Sequence, residues 1–187
     1  MKMSRRITGL TGGGSDGWDV YYKANAMTEA GLDITHLTIG EHDIGTDRSI
    51  LDAMHAATLA GHTGYPALNG RKNLRATIAQ RVTERTSVKT TPDNVLVVPG
   101  GQAGLFATHA GACDEGDRAH YIDPYYATYP GTIRGVGAVA APVAARPERG
   151  FLPDPADIAA EAAQGAASLL INSPNNPTGV VYPMDVM

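Results

Sequence analysis

The sequence has few of the features that mark secreted, membrane-spanning or metal-binding proteins. Cys113 is its single cysteine, so neither an internal disulfide nor a cysteine-rich zinc site can form. None of the six histidines stands in a His-x-x-x-His spacing, and we expect no metal site. No stretch approaches the ~20 apolar residues of a membrane span, and the basic start leads into glycines rather than an apolar signal segment. We therefore expect a cytoplasmic protein without a membrane partner.

The chain also lacks an excess of basic residues and the common nucleotide-binding motifs. The 187 residues include 15 Lys and Arg against 19 Asp and Glu, which lacks the basic excess that binding to a nucleic-acid backbone requires. Neither Gly-x-x-x-x-Gly-Lys-Ser/Thr nor Gly-x-Gly-x-x-Gly occurs, so nucleoside triphosphates and dinucleotides are not favoured as ligands. Apolar residues make up 43% of the chain, which favours a folded protein over a disordered one.

What the chain does contain is an alternation of apolar runs and helical patterns. Buried strands are predicted at 95–98, 119–122, 139–143 and 168–171, and helices at 102–112, 128–135 and 154–164. Earlier in the chain we predict helices at 49–60 and 73–85, a short strand at 36–39 and a mobile arm at 1–15. Strands that alternate with helices indicate an α/β protein with a mainly parallel sheet.

Ligands of such sheets bind at the carboxyl ends of the strands, which directs attention to three turns. After the run 95–98, Gly100, Gly101 and Gln102 lead into a helix whose first N–H groups are unpaired. This turn is either a phosphate cradle or an ordinary strand–helix connection. In the turn 123–130, three tyrosines either stack on a flat ligand or fill the gap between sheet and helix.

The third turn, Asn172-Ser173-Pro174-Asn175-Asn176-Pro177-Thr178-Gly179, is richer in special residues than a simple turn requires. Its two X-Pro bonds are sites where a cis peptide is cheap, and its asparagines present amides at a strand end. The segment resembles the Asn-x-Pro-x-Asn-Pro-Thr-Gly signature of the class I/II aminotransferases, which are pyridoxal-phosphate enzymes of fold type I.

Four further blocks resemble this family in the same order along the chain. They are Gly40-Glu41-His42-Asp43-Ile44, with His42 where the family has proline, then Tyr65 to Arg75, Gly100-Gly101-Gln102, and Asp123-Pro124-Tyr125-Tyr126. The resemblance spans about residues 17–187. It implies a three-layer α/β sandwich with a mainly parallel central sheet, in which 1–45 form an N-terminal arm and part of a small domain. Residues 46–187 would then be the first part of the large, cofactor-binding domain.

The resemblance also implies roles for individual residues around pyridoxal 5'-phosphate. The turn Gly100-Gly101-Gln102 would bind the phosphate, through the amides of Gly101 and Gln102. Tyr126 would stack on the pyridine ring, and Asn176 would hydrogen-bond its phenolic oxygen. Gly40 would contact the substrate carboxylate, and Tyr65 would reach the phosphate in the partner subunit's site, since the family forms homodimers.

Three residues that the resemblance leads us to expect are missing from the matched positions: the Schiff-base lysine, the aspartate that pairs with the pyridine nitrogen and the arginine that binds the substrate α-carboxylate. The family's Schiff-base lysine follows the Asn-Pro-Thr-Gly loop, whereas the lysines here are Lys2, Lys23, Lys72 and Lys89. We therefore expect an N-terminal fragment that is inactive alone, with the catalytic lysine beyond Met187. The predicted parent enzyme transfers an amino group between an amino acid and a 2-oxo acid. The alternatives are a fold-type-I lyase that cleaves C–S bonds by β-elimination, and a non-catalytic remnant that binds pyridoxal phosphate or a partner.

Overall fold

The computed structural model describes residues 2–15, 17–40 and 42–187. The chain divides into two compact units, one running up to His36 and resuming at Gly100–Met187, the other formed by Leu37–Pro99. The predicted domain division at residues 45 and 46 stays a prediction. In chain order the elements are α1 (Arg5–Thr8), α2 (Asp19–Glu29), α3 (Arg48–Leu59), α4 (Lys72–Thr86), α5 (Gly100–Ala112), β1 (Arg118–Asp123), α6 (Tyr129–Gly135), β2 (Val139–Ala144), α7 (Pro155–Ala162) and β3 (Ser168–Leu170), with short 3-10 turns at Pro92–Asn94 and Pro147–Arg149.

The first unit is built on a parallel sheet with the strand order β2-β1-β3. The central strand β1 pairs with β2 along its whole length, with Ile122 opposite Val143. On its other side β1 pairs with β3, with Tyr121 opposite Leu170. Because parallel strands end at the same edge of a sheet, the segments that follow β1 and β3 leave the sheet side by side.

Alternate residues of β1 face two different helical layers. Tyr121 packs on one face with Tyr129 and Ile133 of α6, where Leu105 of α5 joins them. Ile122 packs on the other face with Val143 and with Ile158 of α7. Since successive strand side chains point to opposite faces, this arrangement is a helix–sheet–helix sandwich. The predicted three-layer α/β fold is confirmed.

The helix ends follow the local chemistry of the sequence. The Asp154 side chain accepts a hydrogen bond from the backbone N–H of Ala156, and Pro155 occupies the first helical position of α7, as predicted. Asp47 caps α3 in the same way, accepting from the N–H of Ser49 at 2.9 Å. At the C-terminal end of α4, Ser87 adopts a left-handed conformation with a φ of 59°.

Two predicted strands are not formed. The runs 36–39 and 95–98 have no regular secondary structure, and Leu37 and Leu96 are largely exposed. An apolar run becomes a strand only when a neighbouring strand pairs with its N–H and C=O groups. Among the described residues, the ladders join β1 to β2 and β3 only. The run 95–98 instead makes a single backbone bond to the turn before α4, from the Val97 N–H to the Asn69 carbonyl at 3.1 Å.

The N-terminal segment, predicted as a mobile arm, packs against α6. It contains the short helix α1, and Nη1 of Arg134 donates to the Leu10 carbonyl at 3.0 Å. This segment, α5 and α6 line an open cavity of about 880 Å³, whose lining includes Leu10, Phe106 and Arg134, together with Trp18 at the start of α2. No helix within the described residues is both long and apolar enough to cross a bilayer.

Candidate functional site

The turn into α5 leaves room beside its first backbone N–H groups. Gly100 has a φ of +82°, a conformation that side chains with a Cβ rarely adopt. A Cβ built on Gly101 would meet no atom of the described chain within 4 Å. The first N–H groups of a helix have no partner within it, and the helix dipole adds partial positive charge there. The predicted residues Gly100, Gly101 and Gln102 therefore form an open end suited to an anion.

The loop after β1, which is hydrogen-bonded to Gln102 of α5, carries several aromatic side chains. Tyr125 turns inward, with its ring 4.9 Å from that of Tyr121 in an edge-to-face contact. Tyr126 turns outward and is 41% exposed, while its ring lies 5.8 Å from that of Tyr129. Tyr125 and Tyr129 thus fill the gap between sheet and helix, and Tyr126 keeps one surface available. The gap-filling interpretation therefore applies to Tyr125 and Tyr129, and stacking of Tyr126 on a flat ligand stays a prediction.

The loop after β3 is organised by Asn175, which is buried. Its Oδ1 accepts hydrogen bonds from the backbone N–H and the hydroxyl of Thr178, at 3.2 and 2.7 Å. Its Nδ2 donates to the carbonyl of Pro124 at 3.3 Å, which ties this loop to the loop after β1. The neighbouring Asn176 is exposed, and within the described chain its side-chain amide has no hydrogen-bond partner. The bonds Asp123–Pro124, Ser173–Pro174 and Asn176–Pro177 are cis.

The Gln102 side chain connects the turn into α5 to the loop after β1. Its Oε1 accepts a hydrogen bond from the Thr128 hydroxyl at 2.8 Å, and its Nε2 donates to the hydroxyl of Thr132. The turn into α5 is thus bonded to the loop after β1, which is itself bonded to the loop after β3. Hydrogen bonds between neighbours therefore bring the surroundings of Gly101, Tyr126 and Asn176 together.

The phenols beneath these loops are held in the neutral form. Burial raises the pKa of Tyr121 to about 12, and it also raises the pKa values of Tyr129 and Tyr182. A phenolate removed from water loses its hydration, and this cost outweighs the attraction of Arg134 for a Tyr121 phenolate, so the neutral phenol is favoured. These tyrosines contribute packing surface rather than negative charge near the open end of α5.

Gly40 and Tyr65 belong to the second unit, whereas the residues described above belong to the first. Both are exposed, and a Cβ built on Gly40 would meet no described atom within 4 Å. Glu41, which belongs to the same motif as Gly40, lies outside the described residues.

Sequence reasoning missed two residues that hold the site together, Asn175 and Thr132. Asn175 stands beside an identical side chain, and only the structure shows which amide is buried. Thr132 lies 30 residues from Gln102, so no local spacing could reveal their contact. Among the described residues, no cluster of three or more His, Cys, Asp and Glu is placed to hold a metal ion.

Comparisons with known proteins show which family the chain resembles. A family model described as aminotransferase class I and II matches residues 33–186. The aspartate/prephenate aminotransferase of Thermus thermophilus is 34% identical over 165 residues, which cover 88% of this chain and 43% of that protein. The arginine–pyruvate transaminase AruH of Pseudomonas aeruginosa is 32% identical over 183 residues, which cover 98% of this chain and 47% of that protein.

Solved structures extend the likeness to three dimensions. The aspartate aminotransferase of Thermus thermophilus with maleate superposes on all of this chain with a TM-score of 0.91 at 33% identity, and 48% of its own chain is covered. The chain thus spans less than half the length of these relatives. Its fold is that of the fold-type-I aminotransferases, and the family model covers most of its length. The chain therefore belongs to the class I and II aminotransferase family.

Proposed function

We propose that this chain provides part of the cofactor site of a pyridoxal-phosphate-dependent aminotransferase. The reaction would transfer an amino group between an amino acid and a 2-oxo acid. The observation that supports it best is the hydrogen-bonded junction of three connections, through Gln102 to Thr128 and through Asn175 to Pro124. A single ligand at this junction could touch a helix start, an exposed aromatic ring and an unpaired amide.

The residues present fit the chemistry of the cofactor. Its phosphate would accept hydrogen bonds from the backbone N–H groups of Gly101 and Gln102, where the absence of a Cβ on Gly101 permits close approach. The exposed ring of Tyr126 would pack on the pyridine ring and exclude water from that face. The Asn176 amide would donate to the phenolic oxygen of the cofactor. When bound, the cofactor supplies an electron sink for negative charge on the substrate.

Other parts of the proposed enzyme depend on groups that this chain does not supply at the matched positions. Lys2, Lys23, Lys72 and Lys89 all precede the loop after β3 in the chain. We therefore propose that the Schiff-base lysine belongs to the remainder of a longer protein, and that the 187-residue chain alone has no transaminase activity. In a homodimer, Tyr65 would extend to the phosphate in the partner subunit's site, and the Gly40 backbone would bind the substrate carboxylate. We further propose a cytoplasmic location.

Binding of pyridoxine 5'-phosphate to the chain tests this proposal. This compound has the ring and phosphate of the cofactor but no aldehyde, so it cannot react with surface lysines. We expect wild-type chain to bind it in a ligand-detected NMR titration and to bind pyridoxine, which lacks the phosphate, at least tenfold more weakly.

The matched variants are Gly101→Val and Gly111→Val. Both glycines lie in α5, and a Cβ at either position would meet no described atom within 4 Å, so the cost of a β-branched residue in the helix is similar. We expect Gly101→Val to weaken binding by about tenfold or more, because the new methyl groups occupy the approach to the N–H groups. Equal affinity of the two variants, or no preference for the phosphorylated ligand, would contradict the proposal.

A further inference from the structure

Three side chains at the proposed cofactor site, together with one backbone carbonyl, form a closed ring of hydrogen bonds. The hydroxyl of Thr128 donates to Oε1 of Gln102 at 2.8 Å. Nε2 of Gln102 donates to Oγ1 of Thr132, and the hydroxyl of Thr132 donates to the backbone carbonyl of Thr128 at 2.8 Å. Each hydroxyl donates once and every acceptor faces a donor, so the direction of the ring fixes which way the Gln102 amide points.

The ring joins segments that are distant in sequence. Gln102 lies in the first turn of α5, 26 residues before Thr128 and 30 before Thr132. Thr128 belongs to the turn that carries Tyr126, which is closed by a hydrogen bond from the Tyr129 N–H to the Tyr126 carbonyl at 3.0 Å. Thr132 lies in α6 and is buried, so water cannot easily take the place of its partners.

We infer that Gln102, Thr128 and Thr132 are positioning residues, which hold the phosphate-binding turn at a fixed place relative to the stacking ring of Tyr126. This inference rests on the proposed function. The Gln102 side chain is engaged by two threonines, so it is its backbone N–H that serves the phosphate. The ring thus adds no contact with the cofactor, and it acts by keeping two binding elements in register for a ligand that spans both.

A ring that sets the spacing of two elements makes a specific prediction about ligands. A molecule that occupies both elements gains from their correct placement, because its second half binds at high effective concentration. Inorganic phosphate and unphosphorylated pyridoxine each occupy one element and do not sense the spacing. Loss of the ring should therefore weaken binding of pyridoxine 5'-phosphate and leave the two half-ligands unaffected.

The test uses the full chain with the variants Thr132→Val, Gln102→Leu, the double variant and Thr132→Ser. We expect either single change to raise the Kd for pyridoxine 5'-phosphate by about fivefold to tenfold. The Kd of the double variant should be about the same as that of the weaker-binding single variant, because either change alone already opens the ring. Thr132→Ser keeps the hydroxyl and should restore wild-type binding.

A matched control is Thr58→Val in α3. The Thr58 hydroxyl donates to the carbonyl four residues earlier, that of Met54, at 2.9 Å, which is the same local bond that Thr132 makes to Thr128. The control removes that bond without touching a ring, and its Kd should equal that of the wild type. If Thr132→Val does not fold, Thr128→Val opens the ring at a half-buried position and decides the question.

The outcomes separate this inference from the function on which it rests. If the wild-type chain binds no pyridoxine 5'-phosphate, the proposed function fails. If the wild type binds it and a folded ring variant binds equally well, the positioning role is refuted while the function stands. An equal loss of affinity for inorganic phosphate in the ring variants would also refute it, because the ring would then shape the phosphate turn alone.

Discussion

The buried guanidinium of Arg75 is expected to hold the second unit together through backbone carbonyls rather than through its ion pair. Nε donates to the Val95 carbonyl at 2.9 Å, and Nη2 donates to the Pro92 carbonyl at 2.5 Å. Nη2 also lies 3.2 Å from Oδ1 of Asp93, but the Asp93 side chain is 94% exposed whereas that of Arg75 is 9% exposed. The carbonyl bonds are therefore the main partners of a guanidinium that is largely removed from water, whereas the carboxylate of the ion pair is solvated.

Arg75→Met keeps much of the aliphatic stem and removes both carbonyl bonds. Hydrogen bonds from a charged donor contribute ~1.5–3 kcal/mol each, so the gross loss is ~3–6 kcal/mol. Val95 and Pro92 are only half-buried, which lets water satisfy part of their carbonyls, and burial of the charge is no longer required. We expect a net loss of about 2–3 kcal/mol in the free energy of opening α4.

Native-state hydrogen exchange of the amides in Lys72–Thr86 measures this loss directly. A change of 2–3 kcal/mol lowers the protection factors roughly 30- to 150-fold. Asp93→Asn is the control, since an exposed ion pair contributes ~0–1 kcal/mol and its loss changes protection by about fivefold at most. Protection that falls equally in both variants would assign the stability to the ion pair and refute the reasoning. So would unchanged protection in Arg75→Met.

Two further predictions concern titration. Burial raises the pKa of Tyr121 to about 12, so its phenol should ionise last in an ultraviolet titration. The free energy of unfolding should also fall as the pH rises from about 10 towards 12, because the unfolded chain loses this proton at a lower pH than the folded chain does. Tyr121→Phe should remove this late step, and its persistence would contradict the assignment. A hydrogen bond from Arg146 lowers the pKa of Asp157, so its stabilising contribution is present above the ordinary aspartate pKa and is lost as the pH falls through the lowered one. Carbon-13 NMR should show this pKa rising in Arg146→Gln, and an unchanged value would exclude that bond as its cause.

The parts of the fold that were predictable are those whose causes are local. Asp154 and Pro155 mark the start of α7 because a capping carboxylate and a fixed φ act on the residues beside them. The strand around Tyr121 was found because its apolar run sits between two segments with helical patterns.

The run 95–98 was predicted as a strand by the same argument and does not form one. Its apolar character meets the side-chain requirement of a buried strand, but the backbone requirement depends on a neighbour that no local pattern reveals. A hydrophobic run therefore indicates what a segment can bury, and only the three-dimensional structure shows whether a partner strand lies beside it.

The sequence suggested which turns form the candidate site, but it could not reveal the hydrogen bonds that connect them. The rule that parallel strands deliver their loops to one edge applies to Tyr126 and Asn176, which follow β1 and β3. Gly101 follows a run that forms no strand, and its turn is tied to the loop after β1 through Gln102 instead. The contacts that connect those turns pass through Asn175 and Thr132. Neither residue differs in type from many others in the chain, and their importance arises from burial.

In the loops after β1 and β3, one residue is packed or hydrogen-bonded within the fold while the residue next to it is exposed. Asn175 is buried in the framework of its loop while Asn176 is left with an unpaired amide, and Tyr125 packs inward while Tyr126 is exposed. Gln102 makes the same division within one residue, since its side chain is bound by threonines while the backbone at the start of α5 faces open space. A binding group that its neighbours already hold in place loses less conformational entropy when a ligand binds than a mobile group does. In the proposed site, the paired residues would therefore hold the exposed polar groups in place for a small phosphorylated ring.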